Sequence, residues 1–161
     1  LIIAHPPCTY LSNAATSKHS LKSSTLEEIN ERTAKRVQAQ EFFMQFTKVN
    51  CDKIAIENPV GIMSTVYRKP DQIIEPYQFA ESEDDKENYQ TKRTCLWLKG
   101  LKLLKTNDLP RPDNAKIWGR WSNGKARCWN DSVYSKERVV IRSKTFTGVA
   151  KAMAEQWGIY D

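Results

Sequence analysis

The chain has 161 residues, 40% of them hydrophobic and 27% charged, with a formal net charge of +6. This is enough chain for one domain with a real core, and the composition excludes a disordered or fibrous protein. No apolar stretch approaches the roughly 20 residues of a membrane-spanning helix, no secretory signal is visible, and the basic balance favours an anionic partner such as nucleic acid.

The apolar run Leu1 to Ala4 predicts a buried strand. Pro6 and Pro7 forbid its continuation and throw Cys8 onto a turn. Residues 5–24 form a loop rich in Ser, Thr and Asn that holds both histidines, His5 and His19. Thr25-Leu26-Glu27-Glu28 matches a helix capping box. Leu26, Ile29, Thr33, Val37, Gln40 and Met44 recur at helical spacing, so a long helix is expected to about Lys48. Lys53 to Ile56 predicts a short strand ending in Glu57-Asn58-Pro59, and Ile73 to Phe79 another. Residues 81–88 read as an acidic loop that solvation alone explains. Thr94 to Leu98 is a buried-strand candidate. Residues 101–143 are irregular and rich in Pro, Asn, Lys, Arg and Trp. Thr147 is expected to cap a last helix, Gly148 to Trp157, with Gly158 at its end.

A strand, a helix and a second strand in succession imply a parallel crossover and an α/β class. Chemistry in such sheets sits at the carboxyl ends of strands. Cys8 and Glu57 both follow strands of that unit, so they are expected on one edge of the sheet. The four cysteines are scattered without zinc-ligand spacing and read as reduced thiols of a cytosolic protein. A thiolate is a nucleophile and a nearby carboxylate can move a proton. The plain alternative makes Cys8 a packed turn residue and Glu57 a helix cap or loop carboxylate.

Pro6-Pro7-Cys8, followed by Ser12 and Ala14, resembles the Pro-Cys nucleophile motif of DNA (cytosine-5) methyltransferases. Glu57-Asn58-Pro59 resembles their Glu-Asn-Val motif, KRTCLWLKG a later strand preceded by arginines, and TGVAKAMA their last helix. The order and rough spacing of all four agree, as in the short methyltransferase-like proteins of bacteriophages and prophages. Thr9, Leu11, Pro59 and Cys95 stand where the family has Gln, Phe, Val and a second Arg.

The resemblance implies a partial Rossmann-like, mostly parallel sheet, with residues 1–161 as the C-terminal part of a longer domain. It implies methyl transfer from S-adenosylmethionine to carbon 5 of a cytosine flipped out of double-stranded DNA. Cys8 would be the nucleophile, Glu57 the acid and Arg93 a contact to the base or its sugar-phosphate. Pro7, Ser12 and Asn58 would border the substrate, and Pro6 and Val149 the cofactor. The glycine-rich loop that normally holds S-adenosylmethionine is absent from this chain. The expected setting is the cytoplasm of a bacterial host.

Arg120, Lys125 and Arg127 lie among tryptophans in 101–143, where the family keeps its target-recognition region, and suit phosphate contact and base stacking. A solvated basic loop is the plain alternative. Other readings are a DNA-binding relative that has lost cofactor binding and catalysis, a DNA amino-methyltransferase, and a thiol hydrolase pairing Cys8 with His5 or His19.

Overall fold

A computed structural model of the chain describes residues 1–13, 19–127 and 142–158. It is a mixed α/β structure in two compact units. One unit comprises Leu1–Ile74 and Arg93–Leu103, the other Glu75–Lys92 and Leu104–Asp161.

The first unit is built on a four-stranded sheet of β1 (Ile2–Ala4), β2 (Ile54–Pro59), β3 (Gln72–Ile74) and β4 (Thr94–Lys99), in the order β1-β2-β4-β3. β1 and β2 pair in parallel, as the crossover rule requires. The expectation of a mostly parallel sheet fails, because β4 runs against both β2 and β3. Only the β1–β2 connection carries a long helix. The chain beyond β2 has only the four-residue α2 (Met63–Val66) before β3, and β4 enters reversed between the two. β2 is longer than expected, so Glu57, Asn58 and Pro59 are strand residues rather than a tail. β3 is shorter, because Glu75-Pro76 turns the chain into a 3₁₀ segment, Pro76–Phe79. A proline there has no N–H to give a ladder.

Helix α1 (Leu26–Thr47) starts at the capping box. Thr25 Oγ1 accepts from the Glu28 amide at 3.2 Å, and Glu28 Oε2 accepts from the Thr25 amide at 2.8 Å. Its second half packs on the sheet through Phe43, which is fully buried and meets Trp97 edge-on at 5.1 Å. Leu11, Ile54, Ile56, Met63 and Cys95 complete this core. Of the residues at helical spacing on α1, Ile29, Gln40 and Met44 are shielded, and Met44 packs against the core. Leu26, Thr33 and Val37 are exposed, while Ile29, Arg32, Arg36, Ala39, Gln40 and Phe43 are shielded. The first half of the helix meets the loop after β1, where Arg32 and Arg36 join Ile29 in facing inward.

In the second unit α3 (Asn114–Trp118) and α4 (Thr147–Trp157) are helical, and Val149, Ala152, Met153 and Trp157 form the buried face of α4. Phe146 rather than Thr147 is the N-cap. Thr147 Oγ1 instead donates to Asn88 Oδ1 at 3.2 Å, and the Gly148 amide donates to the same oxygen at 2.8 Å. Asp85 in turn accepts from the Asn88 side chain. The acidic loop is therefore a buried-asparagine staple for α4, not merely a solvated run. Gly148 is required by this approach, since a Cβ would lie 2.4 Å from the Phe79 carbonyl oxygen.

Candidate functional site

The parallel ladder pairs Ala4 with Ile56, so the chain leaves β1 beside Glu57 and Asn58. Pro6 has a buried carbonyl and needs a donor. Asn58, 2% exposed, supplies it: its Nδ2 donates to Pro6 O at 2.7 Å. Two residues on, the amides of Leu11 and Ser12 both donate to Cys8 O at 3.0 Å and close a tight turn. The loop is then held to the segment after β2. Ser12 bridges Gly61, Asn13 N donates to Val60 O, and Ile62 N donates to Leu11 O. Gly61 permits this, because a Cβ there would sit 2.0 Å from Leu11 O. Ser12 is thus placed through its backbone, and the Pro6-Pro7-Cys8 stretch is fixed to the strand that carries Glu57.

The Glu57 side chain is 15% exposed and forms a 2.6 Å bond from Oε2 to His5 Nδ1. His5 is the partner that sequence reasoning missed. It becomes visible only with the β1–β2 register, which places it one residue beyond the Ala4–Ile56 pair. Cys8 is half-buried with a free thiol. Cys95 lies opposite Asn58 in the β2–β4 ladder and is wholly buried. Burial pushes the Cys95 thiol up, against the opposing pull of the Arg93 charge and the Ser64 hydroxyl, and the Glu57 charge adds to the rise. It is the less reactive thiol of the two. Arg93 is exposed, and its charge reaches the Cys95 side of the sheet.

In the second unit, Arg120, Lys125 and Arg127 share one two-stranded turn. Arg120 bridges Ala126, Trp121 N donates to Lys125 O, and Arg127 N donates to Gly119 O, each at the neck of the turn. The Arg127 guanidinium stacks over the Trp121 ring at 4.7 Å. A stretch expected to be irregular therefore contains a small hairpin that gathers all three basic candidates. Cys128, Trp129, Tyr134, Lys136 and Arg138 fall outside the described residues, as does Ala14.

The two positions assigned to S-adenosylmethionine are both buried. Pro6 is buried with its carbonyl taken by Asn58, and Val149 belongs to the apolar face of α4. A groove of about 190 Å³ in the first unit lies elsewhere, lined by Phe46, Ile54, Tyr67, Arg68, Trp97 and Lys99 near the amino end of β2. Among the described residues no three His, Cys, Asp or Glu side chains are placed to hold a metal ion, and no helix is long and apolar enough to cross a membrane. No family model matches the chain, and neither does any curated protein or solved structure.

Proposed function

We propose that this chain captures a cytosine flipped from double-stranded DNA, in the manner of the DNA (cytosine-5) methyltransferases it resembles, in a bacterial cytoplasm. The observation that carries this reading is the buried bond from Asn58 to Pro6, which holds the Cys8 turn against the strand bearing Glu57. A nucleophile and an acid must be fixed relative to each other to act on one base.

The Cys8 thiolate adds to carbon 6 of the ring. The carbon 5–carbon 6 double bond shifts to carbon 4–carbon 5, and ring nitrogen 3 takes a proton from Glu57. His5, bonded to Glu57 Oε2, orients the carboxyl and can replace that proton. Carbon 5 is then an enamine carbon able to take an electrophile, and a proton from water is enough to make the addition visible. Arg93 is a contact for the sugar-phosphate, and the hairpin of Arg120, Lys125 and Arg127 is a contact for the duplex. β1, β2 and β3 share one direction, consistent with part of a Rossmann-like methyltransferase sheet.

The test needs no methyl donor. DNA carrying tritium at carbon 5 of cytosine should lose it to water with this protein, because addition at carbon 6 allows exchange at carbon 5. Cys8→Ser should abolish release, and Glu57→Gln should slow it by about 10²-fold. The Arg127–Trp121 stack favours a second reading, a DNA-binding relative without catalysis. Tight duplex binding with no tritium release would select it.

A further inference from the structure

Tyr10, two residues beyond Cys8, is enclosed by cations from α1. The Arg32 guanidinium lies 5.3 Å from its ring centroid, and Arg36 Nε donates to its carbonyl oxygen at 3.1 Å. Arg32 and Arg36 are four residues apart on one helix face, where like charges repel. His19 is close enough to feel both. Two nitrogens of this cluster, Arg32 Nε and His19 Nε2, are shielded from solvent and make no hydrogen bond among the described residues. Among the described residues no carboxylate forms an ion pair with Arg32 or Arg36, and Glu31, whose charge reaches Arg32, is engaged by Lys35. Burial and the neighbouring Arg32 charge hold Arg36 below its ordinary value, and burial with both arginines does the same to His19. Shielded donors without a partner, and positive charge gathered around them, are costly unless an anion completes them.

We propose that Arg32, Arg36 and His19 bind one phosphodiester of the DNA strand beside the Cys8 turn. Guanidinium forks match the several oxygens of a phosphate, and the ring nitrogen of His19 adds one more donor. The site lies where α1 meets the loop that carries the nucleophile, so it would hold a backbone phosphate close to the flipped nucleotide. The source of the phosphate rests on the DNA reading above; the anion chemistry does not.

Arg32→Gln is the principal variant, because Arg36 also ties down the Tyr10 carbonyl. Duplex affinity is measured across a salt series, with thermal melts to check folding, and Arg32→Lys as the charge-retaining control. Binding of inorganic phosphate is followed in parallel by NMR of the Arg32 and His19 side chains. Loss of one phosphate contact should weaken binding about tenfold and flatten the slope of log affinity against log salt by about 0.9, with Arg32→Lys restoring the slope. Duplex binding with an unchanged slope in Arg32→Gln would overturn this site and leave the DNA reading standing. No duplex binding, but inorganic phosphate shifting the Arg32 and His19 signals, would overturn the DNA source and assign the site to a small phosphate ligand. Neither duplex nor phosphate binding would overturn the site altogether.

Discussion

Asn58 and Pro6 are 52 residues apart in the chain and joined by a buried 2.7 Å bond from a side-chain amide to a carbonyl. Proline cannot offer its own N–H to the ladder, so the loop after β1 has lost a backbone tie at the point where it must turn. The asparagine replaces that tie. Substitution Asn58→Ala should leave the Pro6 carbonyl buried and unpaired, at a cost of about 1–3 kcal/mol. Urea unfolding of the variant checks the number. Tritium release from cytosine should fall further than stability does, since the Cys8 turn is freed from β2. Release that tracks the folded fraction alone would count against a positioning role for this bond.

The cysteines should separate by chemistry. Cys8 is half-buried on a turn, while Cys95 is fully buried and its thiol is raised by burial. Iodoacetamide at neutral pH followed by peptide mapping should label Cys8 in the native protein and Cys95 only after unfolding. Native labelling of Cys95 ahead of Cys8 would contradict the placement of the two thiols.

Asp85 predicts an acid-sensitive hold on α4. Burial pushes its carboxyl up, but hydrogen bonds from the Asn88 side chain and the Asn88 and Glu81 amides outweigh this and keep it below the ordinary 3.8. A carboxyl depressed by folding contributes stability above its unfolded value and loses it as pH falls through the lower folded value. Hydrogen exchange at the Gly148 amide, which bonds Asn88, should therefore quicken as pH falls below about 3.8, after correction for intrinsic exchange. Asp85→Asn should speed it at neutral pH, and the gap from the parent protein should close in acid.

The hairpin predicts a salt effect of its own. Replacing Arg120, Lys125 and Arg127 together with glutamine should flatten the salt slope of duplex affinity by about two to three, at roughly 0.9 per phosphate contact. The change should add to that of Arg32→Gln, because the substitutions touch different elements. An unchanged slope would return the hairpin to an ordinary solvated surface.

The parts of this structure that were legible in the sequence are those set by neighbours in the chain. The capping box at Thr25 needs only four residues, and the apolar runs at Ile2–Ala4 and Thr94–Lys99 identify themselves. Strand direction is different, because it depends on how a connection travels, and nothing between residues 60 and 93 announces that β4 will enter reversed. On α1, Leu26 and Val37 look like core residues yet are exposed, while Arg32 and Arg36 look like surface ones yet are partly shielded. Their guanidiniums meet a tyrosine ring and a carbonyl. The His5–Glu57 pair required a register that no local pattern encodes. Asp85 and Asn88 sit in a run whose composition is the same whether it is solvated or networked.

Both margins of the sheet, β1 and β3, are only three residues long. A foreign strand arriving at either side finds few free rungs, which disfavours edge-to-edge aggregation. The six-residue β4, with its apolar stretch Cys95 to Leu98, is kept from becoming a margin only by the short ladder from β3. Detachment of β3 would turn an interior strand into an adhesive one. Self-association of this protein on mild heating should therefore begin at Thr94–Lys99, and a charge placed in β3 should hasten it.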